Sequence, residues 1–307
     1  MATGQRNEGS SVAEHTPSLT GVVGSMTYAP TTAEALAGLD VVFLALPHGA
    51  SQAIVPDLVG PSTTVIDLGA DFRLDPVAYE HWYGETHAAP SLCDGAVYGL
   101  VERNRTALAG AGLIAVPGCY PTATNLALAP FVDAGVLTHD GVVVDAISGV
   151  SGAGRAASDR LHFSNLDEDV SAYGLLTHRH TAEMEMVLGH QVLFTPHLAP
   201  MVRGMLATVY AVAVEGLTTT AALDLLHEAY DSEPFVHVVA EPPSTKWASG
   251  SNSCFVTARV DDRTGRLIVL SAIDNLGKGA AGQAVQCANV ALGLPEVSGL
   301  SIAGVYP

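Results

Sequence analysis

Cys119 lies in the string Pro117-Gly118-Cys119-Tyr120-Pro121-Thr122. The apolar run Leu113 to Val116 ahead of it reads as a short buried strand. Pro121, Thr122 and the apolar stretch Leu126 to Val132 read as a helix, with Pro121 in the first turn, where a missing N–H costs least. The thiol therefore falls between a strand end and a helix N-terminus. Unpaired backbone N–H groups converge there, and the positive end of the helix dipole favours a thiolate over a thiol. A free cysteine is more often small packing material, but this position reverses that expectation and points to nucleophilic attack.

A thiol nucleophile needs a group that takes a proton and later returns it, which an imidazole does best near neutral pH. His178-Arg179-His180-Thr181-Ala182-Glu183 gathers two imidazoles, a guanidinium and a carboxylate at a predicted helix start. A surface cluster of solvated polar residues is the main alternative; a metal site is a lesser one, since no third ligand has matching spacing. His197, between Pro196 and Pro200, reads as structural. Arg73 follows the predicted strand that ends at Asp67-Leu68, so it falls near the same crevice. A guanidinium offers two parallel donors to a carboxylate or phosphate, which makes Arg73 the candidate anion clamp; a pair with Asp71 or Asp75 is the plainer alternative. The Gly/Ser loop Ser148 to Arg155 lacks the spacing and following helix of a dinucleotide fingerprint. Its glycines would let backbone N–H groups approach a carboxylate or phosphate; mere flexibility is an equal alternative.

The elements that must position these groups alternate in the first half of the chain. Helices over Ala33 to Gly38 and Ala50 to Val59 alternate with apolar strands Val41 to Leu46 and Thr64 to Leu68. Fully apolar strands between helices predict a parallel sheet covered on both faces. Ligands bind beyond the carboxyl ends of such strands, so the turns after Leu46, Asp67 and Val116 should line one crevice. From about Gly141 long β-type runs dominate: Val142 to Ile147, Gln191 to Phe194, Met205 to Val214, Phe235 to Val239, Cys254 to Val260 and Leu267 to Ile273. These predict a largely antiparallel sheet. The fold class is thus α/β: an incomplete Rossmann-like parallel-sheet domain, residues 1–118 and 275–307, plus an α+β catalytic and dimerisation domain over 119–274.

With 307 residues, 48% of them hydrophobic, the chain can bury a sizeable core. Its 13 basic against 31 acidic residues, a formal charge of −18, argue against nucleic acid or an anionic membrane surface as partner. No segment approaches the roughly 18 uninterrupted apolar residues of a membrane span. Four scattered cysteines without zinc-like spacing fit a reduced, cytoplasmic protein.

Leu44-Ala45-Leu46-Pro47-His48-Gly49, Asp67 to Leu74, Val116 to Thr122, Ser148 to Arg155, His178 to Glu183 and Asp274 to Gln283 together resemble the N-acetyl-γ-glutamyl-phosphate reductases. These are the arginine-biosynthesis members of the aspartate-semialdehyde-dehydrogenase-like enzymes, and the resemblance runs from about Gly21 to Pro307. It implies that Cys119 is the nucleophile and His178 its acid/base partner. Arg73, Tyr173, His180 and Glu183 become substrate-site residues. Pro47, Gly149, Ser151, Gly152 and Asn275 would face NADPH. The implied reaction reduces a small acyl phosphate to an aldehyde through a cysteine thioester; aminoadipyl or aspartyl phosphate is the alternative substrate, and a non-enzymatic remnant the alternative role. Homodimers or homotetramers are implied. The family's first strand, Gly-x-x-Gly-x-x-Gly loop and helix have no counterpart here, since Met1 to Pro30 resembles the segment after the second strand. The expectation is a start assigned too far downstream, with weak NADPH binding and a bare strand edge in this chain.

Overall fold

A computed structural model describes residues 1–138 and 140–306. Two short strands, β1 (Ala2–Thr3) and β2 (Tyr28–Ala29), pair in parallel apart from the other sheets. Next come β3 (Val41–Leu44), β4 (Thr64–Asp67), β5 (Val97–Tyr98) and β6 (Leu113–Ala115), which form a fully parallel sheet in the order β3-β4-β6-β5. Strand alternation sends successive side chains to opposite faces. Val65 meets the Ser51–Leu58 helix through Val55 and Leu58, while Ile66 and Ile114 meet Val101, Leu108 and the final helix residues Ala284, Cys287 and Ala288. Both faces are covered, which explains why the strands carry so little polarity. β3 is an outer strand of this sheet, and its Phe43 is exposed.

The larger sheet is built from β7 (Val142–Gly149), β8 (Ser171–Ala172), β9 (Val192–Ala199), β10 (Met205–Val212), β11 (Val236–Val238), β12 (Cys254–Asp261) and β13 (Arg266–Ile273). Its order is β11-β12-β13-β10-β7-β9-β8. The β11·β12 and β7·β9 pairs are parallel and the others antiparallel. β9 continues past its expected end at Phe194, through Thr195-Pro196-His197 to Ala199. Pro196 is tolerated because β8 pairs only with His197 and Leu198 on that side, and the Pro196 carbonyl there accepts the Tyr173 N–H at 3.1 Å.

The Cys119–Asp133 helix carries no charge before Asp133 and is buried from Tyr120 to Phe131. A helix apolar all round belongs in a core. Its Leu126, Ala127 and Phe131 pack with Val144, Val209, Val256 and Val269 of the large sheet. The N-terminus of this helix thus stands where the parallel sheet ends, at the junction of the two sheets.

Candidate active site

Two carboxyl ends of the parallel sheet and one helix from beyond it meet in one region. After β6 the chain passes Val116 and Pro117 to Gly118, which N-caps the Cys119 helix with extended backbone. After β4 it passes Leu68 and Gly69 to Arg73. The third contribution comes from the second domain's His180–Leu188 helix. Glu183, on the first turn of that helix and fully buried, ties them together. Its carboxylate accepts the Arg73 Nη1–H at 2.9 Å, the Tyr98 hydroxyl at 2.9 Å and the Gly118 N–H at 2.9 Å. Charge-assisted bonds to a buried carboxylate are strong, and three donors converge on this one. Arg73 Nη2 donates to the Leu68 carbonyl at 2.9 Å. The alternative pairing of Arg73 with Asp71 or Asp75 does not occur: Asp71 accepts the Gly49 and Ser51 N–H groups, and Asp75 caps the Pro76–Tyr83 helix.

Cys119 is half-buried and lines a cavity of about 210 Å3 with Arg73, Gly118, Ser151, Gly152, His180, Asn275 and Gly279 among its neighbours. Two glycines let this cavity close around the sulfur. A Cβ at Gly118 would overlap the His180 imidazole, and one at Gly279 would lie 2.8 Å from Cys119 Cβ. The His180 ring therefore lies against the very turn that presents the thiol.

The expected acid/base residue, His178, does not line this cavity. It lines an adjoining one of about 690 Å3, which His180 and Gly152 share. Aromatic rings surround it: His180 at 4.8 Å, Phe194 at 5.3 Å, Tyr173 at 5.5 Å and Tyr120 at 5.6 Å between centroids. The Tyr173 hydroxyl donates to the Tyr120 hydroxyl at 3.1 Å, so Tyr173 belongs to this wall. Burial, then the Arg179 charge, pushes His178 down to about 4. His180 is held well below its ordinary value by burial, by His178 and by Arg73. Both imidazoles are neutral near pH 7. The His180 N–H donates to His178 Nδ1 at 3.2 Å, which puts the His178 ring proton on Nε2.

The resting thiol departs from the sequence expectation. The Tyr120 and Cys119 N–H groups and Arg73 do favour the thiolate, as a helix start should. Burial outweighs them and pushes the Cys119 thiol up to about 11. The sulfur is therefore protonated at rest, and its activation needs a base.

The residues expected to face a nicotinamide cofactor separate into three places. Asn275 bridges two loops by donating to Ser151 Oγ at 2.9 Å and accepting the Gly204 N–H at 2.8 Å, so Ser151, Gly152 and Asn275 sit on the Cys119 cavity. A Cβ on Gly152 would reach Ser148 Oγ at 3.1 Å and Asn275 Nδ2 at 3.6 Å, filling that cradle. Gly149 is elsewhere: it ends β7, and a Cβ there would lie 2.8 Å from the Val202 carbonyl, so its missing side chain serves close packing. Pro47 lines a third cavity of about 770 Å3 with Thr3, Arg6, Asn7, Leu46 and Ala50. Tyr98 was missed by sequence reasoning. Its only local signal is a place at the end of a two-residue strand, and its partner Glu183 is far along the chain.

The family model described as semialdehyde dehydrogenase, NAD binding domain, matches residues 1–111, and the semialdehyde dehydrogenase dimerisation domain matches residues 119–275. The N-acetyl-gamma-glutamyl-phosphate reductase of Symbiobacterium thermophilum is 52% identical over 285 residues, covering 89% of this chain and 82% of that protein. The protein of the same name from Desulforamulus reducens is 45% identical over 316 residues, covering 100% of this chain and 91% of the relative. Among solved structures, aspartate semialdehyde dehydrogenase II from Vibrio cholerae superposes with a TM-score of 0.67 at 17% identity, covering 94% of this chain and 88% of that one. Aspartate semialdehyde dehydrogenase with NADP from Candida albicans gives 0.61 at 14% identity, covering 87% and 81%. The chain belongs to the N-acetyl-γ-glutamyl-phosphate reductase family of semialdehyde dehydrogenases.

Proposed function

We propose that the chain is an oxidoreductase of arginine biosynthesis that reduces N-acetyl-γ-glutamyl phosphate to N-acetylglutamate semialdehyde with NADPH. The observation that carries this reading is the shared cavity of Cys119 and His180, a thiol and a neutral imidazole at one helix start. His180, rather than His178, takes the Cys119 proton as the sulfur attacks the acyl carbonyl. The thiolate that forms is stabilised by the Cys119 and Tyr120 N–H groups and by Arg73. Phosphate departs with the electron pair of the broken acyl–oxygen bond, leaving a thioester on Cys119. The same helix-start N–H groups suit the oxyanion of the tetrahedral intermediate. Glu183 positions the site by holding Gly118, Tyr98 and Arg73 in fixed relation to His180, which lies one turn earlier on its own helix. Arg73 adds positive charge to the cavity from which phosphate leaves.

The residues present fit a nicotinamide dinucleotide at two ends. Ser151, Gly152 and Asn275 form the bare cradle beside Cys119, and Arg6, for which no carboxylate partner occurs among the described residues, supplies charge to the cavity beyond Pro47. When bound, NADPH supplies the hydride that reduces the thioester carbonyl to an aldehyde. Residues 1–118 and 275–307 are read as the cofactor domain and 119–274 as the catalytic and dimerisation domain. The outer face of the large sheet carries a cross-strand row of Leu193, Val143, Tyr210 and Ile268, with Leu193 53% exposed. A second copy covering this row as a homodimer accounts for its apolar character. Four unbridged cysteines fit a cytoplasmic setting.

Phosphate-dependent reduction of NADP+ with N-acetylglutamate semialdehyde tests the reading. The expected result is turnover with this aldehyde well above that with aspartate semialdehyde. Turnover of aspartate semialdehyde alone would reassign the substrate, and turnover of neither would reject the activity.

A further inference from the structure

The cavity of about 690 Å3 beside the Cys119 site has a feature that the reaction at sulfur does not use. Arg160 and Arg179 line it from two separate segments. Carboxylates are plentiful in a chain with 31 acidic against 13 basic residues: Arg73, Arg103, Arg203 and Arg263 each hold one, and Arg105 holds two. Among the described residues, Arg160 and Arg179 have no such partner. Each is held instead on an aromatic face. The Arg160 guanidinium lies 5.0 Å from the Tyr173 ring centroid, and its Nη2 donates to the Ser171 carbonyl at 3.1 Å and to Ser171 Oγ at 2.9 Å. The Arg179 guanidinium lies 4.7 Å from the centroid of Tyr83, which is itself stacked on His48. Stacking fixes a guanidinium plane without consuming its N–H donors. Two planar cations, oriented and unneutralised in one concavity of an acidic protein, are complementary to an anion.

We propose that Arg160 and Arg179 form a carboxylate-binding subsite that reads the end of the substrate remote from its reacting acyl group. The inference rests on the acyl-phosphate reading above. With the acyl carbon at Cys119, a short chain passes His180 and Gly152, which line both cavities, and delivers a carboxylate to this pair. Arg73 differs from this pair in being already matched to a carboxylate, Glu183, and it lines the Cys119 cavity rather than this one. The subsite selects amino-acid-derived acyl phosphates that keep a free carboxylate and rejects neutral analogues of the same length.

The test compares N-acetylglutamate semialdehyde with 4-acetamidobutanal, the same chain without its carboxylate, in the wild type, R160M, R179M and the double variant. The wild type should favour the carboxylated aldehyde, and each single substitution should cut that preference about 10- to 100-fold, the range for one charged hydrogen-bonding partner. The loss should fall on the KM for the aldehyde and leave the KM for phosphate unchanged, and R160K should retain more preference than R160M. Undiminished preference in the double variant overturns the proposal, as does a rise in the phosphate KM alone. Failure of the wild type to turn over either aldehyde would reject the activity itself. The subsite is then read without turnover, by protection of Cys119 from iodoacetamide by N-acetylglutamate. Protection in the wild type that is absent in the double variant supports it; equal protection in both, or none in the wild type, overturns it.

Discussion

At Cys119 two opposing effects act on one sulfur, and their sizes decide how the residue works. The helix start offers N–H groups and a favourable dipole, worth at most about 2 kcal/mol in a partly buried setting. Burial costs the anion more, which leaves the thiol near 11 and both neighbouring imidazoles neutral. On the mechanism proposed above, such a site stays unreactive towards stray electrophiles and forms its nucleophile as His180 takes the proton. In the absence of substrate, the rate of Cys119 alkylation by iodoacetamide should climb continuously from pH 7 to pH 10. A plateau below pH 8 would mean that the dipole wins and the thiolate is preformed. The position of the sulfur was legible in sequence because glycine and proline fix the turn locally. Its ionisation was not, because burial is set by packing from distant segments. Glu183 makes the same point: its partners Gly118, Tyr98 and Arg73 lie 65, 85 and 110 residues away, so nothing near position 183 reveals that it holds the site together.

At the scale of elements, the long apolar runs read as strands recur with shifted ends, whereas two-residue β5 and the polar Val101–Leu108 helix over the parallel sheet carried too little pattern to be read. β7 extends to Gly149, and β9 continues through Pro196 to Ala199. The chain's last helical segment has two parts. A π-helical turn over Gly277–Ala281 precedes the Gly282–Ala291 helix. Such turns cluster at functional sites, and here the turn brings Gly279 against Cys119. Lys278 anchors it. Its ammonium donates to Glu102 Oε1 and Gln286 Oε1, both at 2.6 Å, with its own side chain 0% and that of Glu102 1% exposed. Burial alone would raise the Glu102 pKa; Lys278 more than reverses this and holds it below 4.5. The stabilisation from this depressed carboxylate is thus complete above about pH 4.5 and is lost as pH falls through the lower folded value. Replacing one member strands the other in the core, so Lys278→Met should lower stability by about 3–5 kcal/mol in urea unfolding at pH 7. Lys278→Met combined with Glu102→Gln should lose distinctly less. A single variant as stable as wild type would mean that the pair does not hold the turn.

Across the whole molecule, the two sheets meet at one helix, whose N-terminus supplies the thiol and whose body fills the core of the larger sheet. The parallel sheet contributes Arg73, Tyr98 and the Cys119 turn, and the large-sheet domain contributes His180, Glu183 and the Ser151–Gly152 cradle. Neither half contains the proposed site alone, so on this account catalysis is a property of the junction. The central claim is that an acyl group passes onto Cys119, and it can be read without any cofactor. The chain is mixed with N-acetyl-γ-glutamyl phosphate, made in place by a kinase, quenched in acid and examined by mass spectrometry. The account predicts release of one phosphate per chain and an N-acetylglutamyl adduct on the peptide carrying Cys119, labile to hydroxylamine and absent from Cys119→Ser. An unmodified Cys119 after the acyl phosphate has been consumed, or an adduct that persists in Cys119→Ser, would contradict it.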